Sequence, residues 1–173
     1  MKYDRTTYWL HIGLAFTVSV QLMLSLMMEA PRAGVPIGGV GNFFFQLHRI
    51  GGLAVLILLI AHWLWQISGR ASNGMRSLFP WLLPRHQSAH FSKHHSMSVG
   101  RKRLKFLAGS LQGLGLLVAT VMAVTGATLF FGMAGDGSMP SALTAVRETH
   151  SIAAVFLWIY FGLHLPISVL THI

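Results

Sequence analysis

A chain of 173 residues with 53% hydrophobic and only 10% charged side chains cannot clothe a water-facing surface, since a soluble domain carries about 25% charged residues. Its net charge of +9 sits in basic clusters between apolar runs, which points to lipid headgroups and membrane topology and away from nucleic acid. The absence of cysteine excludes disulfides, cysteine-ligated zinc and iron–sulfur clusters held by cysteine.

Four apolar stretches are long enough to cross a hydrocarbon core of ~30 Å, which takes about 20 helical residues. They run Tyr8–Met28, Phe44–Ile67, Phe106–Phe131 and Ser151–Leu170. In lipid every backbone donor and acceptor needs an internal partner, so each span is predicted to be helical. The expected fold class is all-α, a four-helix transmembrane bundle forming a single domain over residues 1–173.

The first span opens with "MKYDRTTYWLHIGLAF", which lacks a small-residue cleavage site after a short apolar run and reads as a retained span, not a signal peptide. It carries His11 close to its start. The connector "EAPRAGVPIGGVGN" leads into the second span, "LHRIGGLAVLILLIAHWLW", where His48 and His62 stand fourteen positions apart. Aromatic residues gather near the span ends, Tyr8 and Trp9, Phe43 to Phe45, Trp63 and Trp65, and Phe130 and Phe131 among them, as expected of interfacial belts.

The loop over 68–105 carries Arg70, Arg76, Arg85, Lys93 and the cluster Arg101–Lys105 with no acidic residue, whereas the other connectors mix Glu29, Arg32, Asp136, Arg147 and Glu148. The positive-inside rule places this loop, and both termini with it, in the cytoplasm. Within it, Trp81, Leu82 and Leu83 between prolines are suited to the membrane interface. The tract with His86, His90, His94 and His95 has no tight ligand spacing and reads as a solvated loop.

The third span holds Gly126 in "AVTGATLFFG". The fourth, "VRETHSIAAVFLWIYFGLHLPI", repeats the device of the second, with His150 and His164 fourteen apart. Fourteen residues at 1.5 Å rise separate two side chains by roughly 21 Å, on nearly the same helix face. The second and fourth spans run in one direction, so His48 and His150 share the outer level while His62 and His164 share the inner one. His11, on a span running the other way, joins the inner level. A single membrane histidine is readily explained as a hydrogen-bonded or snorkelling residue. Two tiers of imidazoles on helices able to face one another match the needs of two bis-histidine haems, held non-covalently in a bundle core. Gly52 and Gly126, with Gly51 and Gly162 nearby, offer room for a flat macrocycle, although close helix packing uses small residues in the same way. Arg49 and Arg147 are candidates for haem propionates, because guanidinium suits carboxylate; the Arg101–Lys105 cluster could do the same, but it reads first as a topology signal.

The order of "YWLHIG", "LHRIGGL", "VTG" and "THSIAAVFLWIYFGLH" resembles the bacterial cytochrome b561 family, itself related to the cytochrome b subunits of membrane nickel–iron hydrogenases and formate dehydrogenases. The resemblance spans essentially the whole chain. It implies a four-helix bundle of the bacterial cytoplasmic membrane with two b haems, and electron transfer to or from quinone. It maps the outer axial ligands onto His48 and His150 and the inner ones onto His11 and His164. His62 departs from the pattern, which tends to have arginine near that point. A pairing of His62 with His164, as in respiratory cytochrome b, stays open, and the histidine left over becomes a propionate or quinone candidate alongside Arg147 and Glu148.

Three electron-transfer roles are compatible with these residues: a free-standing cytochrome oxidising quinol or superoxide, the membrane anchor of a larger dehydrogenase or hydrogenase, and a donor to a soluble redox partner such as a periplasmic c-type cytochrome. A histidine-based metal transporter is the alternative of another class, and it lacks the intramembrane acids and broken helices of many transporters.

Overall fold

A computed structural model of the chain describes residues 4–71, 75–79 and 99–172. The interfacial reading of Trp81–Leu83 and the tract His86, His90, His94 and His95 lie outside the described residues, as do the side chains of Arg101–Lys105. The four helices are α1 (Arg5–Met27), α2 (Gly39–Ile67), α3 (Val99–Gly132) and α4 (Thr144–His172), with a short helical turn at Met75–Leu78 and a 3₁₀ turn at Ser141–Leu143. Each of the four is long and apolar enough to cross a membrane.

Three of the helices begin well before the apolar stretch that marks them. Hydropathy detects the part that crosses lipid, whereas a helix continues into polar flanks wherever the residues are good helix formers. Arg, Lys and Leu in "RKRLK" extend α3 backwards, and "TAVRET" does the same for α4. At α2 the extended Gly38 is the N-cap.

Helices consecutive in the chain pack directly against one another, and short connectors at 28–38 and 133–143 force them antiparallel. Both termini and the ends of the long loop therefore share one end of the bundle, here the terminal end. The two short connectors share the far end.

Hydrogen bonds tie each end together. At the terminal end Asp4 caps α1, accepting the Thr7 N–H at 2.8 Å and the Thr7 hydroxyl at 2.7 Å. Thr7 is itself 3% exposed and accepts the Trp65 indole N–H at 3.1 Å, which fixes the start of α1 against the end of α2. Trp63 donates to Thr120 of α3 at 3.0 Å and stacks on Phe79, ring centres 6.3 Å apart. The Met75–Phe79 segment thus folds back into the bundle, and a Cβ at Gly113 would collide with the Leu78 carbonyl.

At the far end the two short connectors bond to each other, the Ile37 N–H to the Asp136 carbonyl at 3.0 Å and the Gly34 N–H to the Met139 carbonyl at 3.1 Å. Ile37, Phe45, Met133 and Met139 close that end as a buried apolar cluster. Gly137 turns the chain there with φ +81°, and a Cβ would press on Ile37.

The outside of the bundle is apolar. Phe16, Ile57, Val124 and Ile159, one from each helix, are all largely exposed. A surface of this kind belongs in hydrocarbon, where packing and internal hydrogen bonds hold helices together in place of the hydrophobic effect.

Candidate functional site

The bundle interior is not solid. A cavity of about 330 Å³ lies toward the far end and another of about 230 Å³ toward the terminal end. Val18, Ala119 and Leu157 border both, so a single layer of apolar side chains divides them.

The far-end cavity is entered by His48 from α2 and His150 from α4. Their ring centres stand 6.4 Å apart with the planes at 90°. The terminal-end cavity receives His11 from α1 and His164 from α4, ring centres 6.0 Å apart with the planes at 61°. Both separations fit one metal ion between two imidazoles. A metal–nitrogen bond of about 2.0 Å and about 1.1 Å from ring nitrogen to ring centre, taken on both sides, give roughly 6.2 Å.

The polar atoms around the cavities point the same way. Buried polar groups in a folded protein are nearly always hydrogen-bonded. Among the described residues, those with a buried and unpartnered side-chain atom include Gln21, His48, Arg49 and Arg147, which line the far-end cavity, and His62 and Gln66, which line the other. Unpaired nitrogen beside an apolar void is the environment that a nitrogen-ligated, flat and largely apolar cofactor satisfies. The donor set, two histidines per cavity with no cysteine, suits non-covalent haem. Among the described residues no three of His, Asp or Glu converge as a metal site of their own.

The remaining residues expected from the sequence divide. Arg49 borders the far-end cavity, but its guanidinium donates to the carbonyls of Phe130 at 3.0 Å and Ala134 at 3.2 Å. It lies between the Phe45 and Phe130 rings, 5.6 and 5.0 Å from their centres. That is a cation at the C-terminal end of α3, where the helix dipole favours it. Arg147 lines the far-end cavity, whereas Glu148 is exposed and borders neither cavity. His62 is 6% exposed and lines the terminal-end cavity beside His11 and His164.

Gly52 borders the far-end cavity, and a Cβ there would meet open space. At Gly126 a Cβ would stand 3.2 Å from His150 Cε1, so this glycine lets α3 approach the imidazole closely. Gly51 serves helix packing instead, admitting the Gln21 amide. Gly162 is exposed and lines neither cavity.

Several residues of the site carry no signal in the histidine spacing. Tyr160 stacks on His164 with ring centres 5.0 Å apart, and a Cβ at Gly115 would collide with the Tyr160 ring. Gln21 and Gln66 are intramembrane amides, and a search of the spans for uncharged polar residues finds both. Thr125 reaches His150 Nδ1 at 2.9 Å.

A family model described as prokaryotic cytochrome b561 matches residues 2–173. No curated protein and no solved structure matches the chain.

Proposed function

The chain belongs to the prokaryotic cytochrome b561 family, and from that premise we propose that it is a free-standing two-haem cytochrome of the cytoplasmic membrane, relaying electrons across the bilayer in exchange with quinone. Membership makes it a multi-pass membrane protein of the b-type cytochromes that transfer electrons. The number of haems, their ligands and the quinone partner are our reading.

In that reading His48 and His150 hold the haem near the outer face, and His11 and His164 hold the one near the cytoplasmic face. The observation that carries it is the pair of ring separations, 6.4 and 6.0 Å, each inside its own cavity. Bound there, haem supplies one-electron exchange between ferric and ferrous iron. The chain's own part is to hold, orient and insulate. With two imidazoles on each iron no position would remain for oxygen, so relay is the chemistry this ligand set would permit. The layer of Val18, Ala119 and Leu157 keeps the two sites apart without a polar group between them. His62 and Gln66, each buried with an unpartnered atom (Nδ1 and Oε1) at the inner cavity, are the side chains available to a propionate or to a quinone oxygen. Arg147 has the corresponding place at the outer one.

The test is haem stoichiometry combined with single substitutions. Pyridine haemochrome on the purified protein should return two b haems per chain. His48→Ala and His150→Ala should each remove the same one, and His11→Ala and His164→Ala the other. A colourless folded protein, or substitutions that do not sort into these two pairs, overturns the reading.

A further inference from the structure

An axial imidazole must present a bare nitrogen to the metal, so its other nitrogen has to carry the proton, and a neighbour usually enforces this. At His150 that neighbour is on a different helix. Thr125 Oγ1 of α3 lies 2.9 Å from His150 Nδ1. A hydroxyl has one proton to give, and Thr125 spends its own on its helix backbone, 2.7 Å from the Val121 carbonyl and 3.2 Å from that of Met122. Toward His150 the oxygen is left as an acceptor, and the shared proton belongs to Nδ1. Back-bonding of this kind also fixes the threonine rotamer, so the acceptor is itself immobile. Gly126, next along α3, allows the approach, since a Cβ there would stand 3.2 Å from the imidazole Cε1.

The geometry points to Thr125 as the positioning residue of the far-end site, its hydroxyl holding His150 in the Nδ1-protonated tautomer with Nε2 free for iron. The inference rests on the assignment of His150 as an axial ligand. Accepting a hydrogen bond from Nδ1–H makes the imidazole a stronger donor and favours ferric iron, so removing the acceptor should raise the potential of that haem alone.

The test compares Thr125→Val and Thr125→Ser in the purified haem-loaded protein, by optical redox titration and by the rate of haem loss to apomyoglobin. Thr125→Val should move one of the two midpoints upward and leave the other in place. Haem loss from that site should quicken by about ten-fold or more, the usual cost of losing such a partner. Thr125→Ser, which keeps the hydroxyl, should match the wild type in both measurements. Unchanged midpoints and loss rate in Thr125→Val overturn the inference, as does a serine variant shifted as far as the valine one. If Thr125→Val folds without that haem, a serine variant with both haems at wild-type potentials supports the inference, and one lacking the same haem overturns it. His150→Ala separates the two levels. Should it lose one haem while Thr125→Val changes nothing, only the role of Thr125 falls; should it keep both, the ligand assignment falls too.

Discussion

The imidazoles of His11 and His164 meet 6.0 Å apart across the terminal-end cavity, although they come from helices running in opposite directions. His62 lines the same cavity, so three histidines converge where the proposed haem would take two. The observed ring pair favours His11. Accordingly His11→Ala should retain one haem per chain by pyridine haemochrome, and His62→Ala should retain two. Loss of that haem in the His62 variant with retention in the His11 variant would reverse the assignment.

Gly52 and Gly126 both border the far-end cavity but differ in what a side chain would strike. At Gly52 an added Cβ meets no protein atom, whereas at Gly126 it presses on His150. Gly52→Val should therefore leave the haem-free chain as stable as the wild type while lowering haem content at the far-end site. Gly126→Val should disturb the imidazole directly and abolish the low-spin spectrum of that haem. A Gly52 variant with full haem content would show that the open space is not occupied by cofactor.

Arg49 makes two hydrogen bonds to carbonyls at and beyond the end of α3, at 3.0 and 3.2 Å. Bonds to a charged group contribute about 1.5–3 kcal/mol each when both partners are buried. Since Arg49 is partly exposed, Arg49→Ala should cost toward the lower end, about 1.5 kcal/mol, read as a fall in the thermal midpoint in detergent. The loss should be the same with and without haem. Arg49→Lys should recover little, because a single ammonium cannot span two carbonyls as the guanidinium fork does.

Leu157 is 5% exposed and belongs to the layer between the cavities. Leu157→Ala should join them and destabilise the fold by about 2–5 kcal/mol, as truncations of buried leucine do. Both haems should persist, since no ligand is touched. Thermal unfolding with parallel haem quantification checks the two halves of this expectation.

Two tiers of histidine are legible in the sequence because helix rise is fixed, and fourteen residues carry the same distance along α2 as along α4. The spans are legible because lipid imposes length and apolarity. The partner of His164 is harder, since it depends on how α1 is rotated about its own axis, and packing decides that. Thr125 is harder still. The short motif "VTG" includes it, but its meaning depends on the level at which α3 stands beside α4. Arg49 is legible only in part. Its place next to His48 suggests a cofactor contact, while the hydrogen bonds of its two Nη atoms to the neighbouring helix depend on packing.

One helix has no histidine at all. Yet α3 takes hold of the arginine that adjoins His48, and its Thr125 and Gly126 make the seat on which His150 rests. The silent member of the bundle thus acts as a jig, setting the gap between two histidines that other helices supply. Sliding it by even one residue would unseat one imidazole and tug at the neighbour of the other in a single movement.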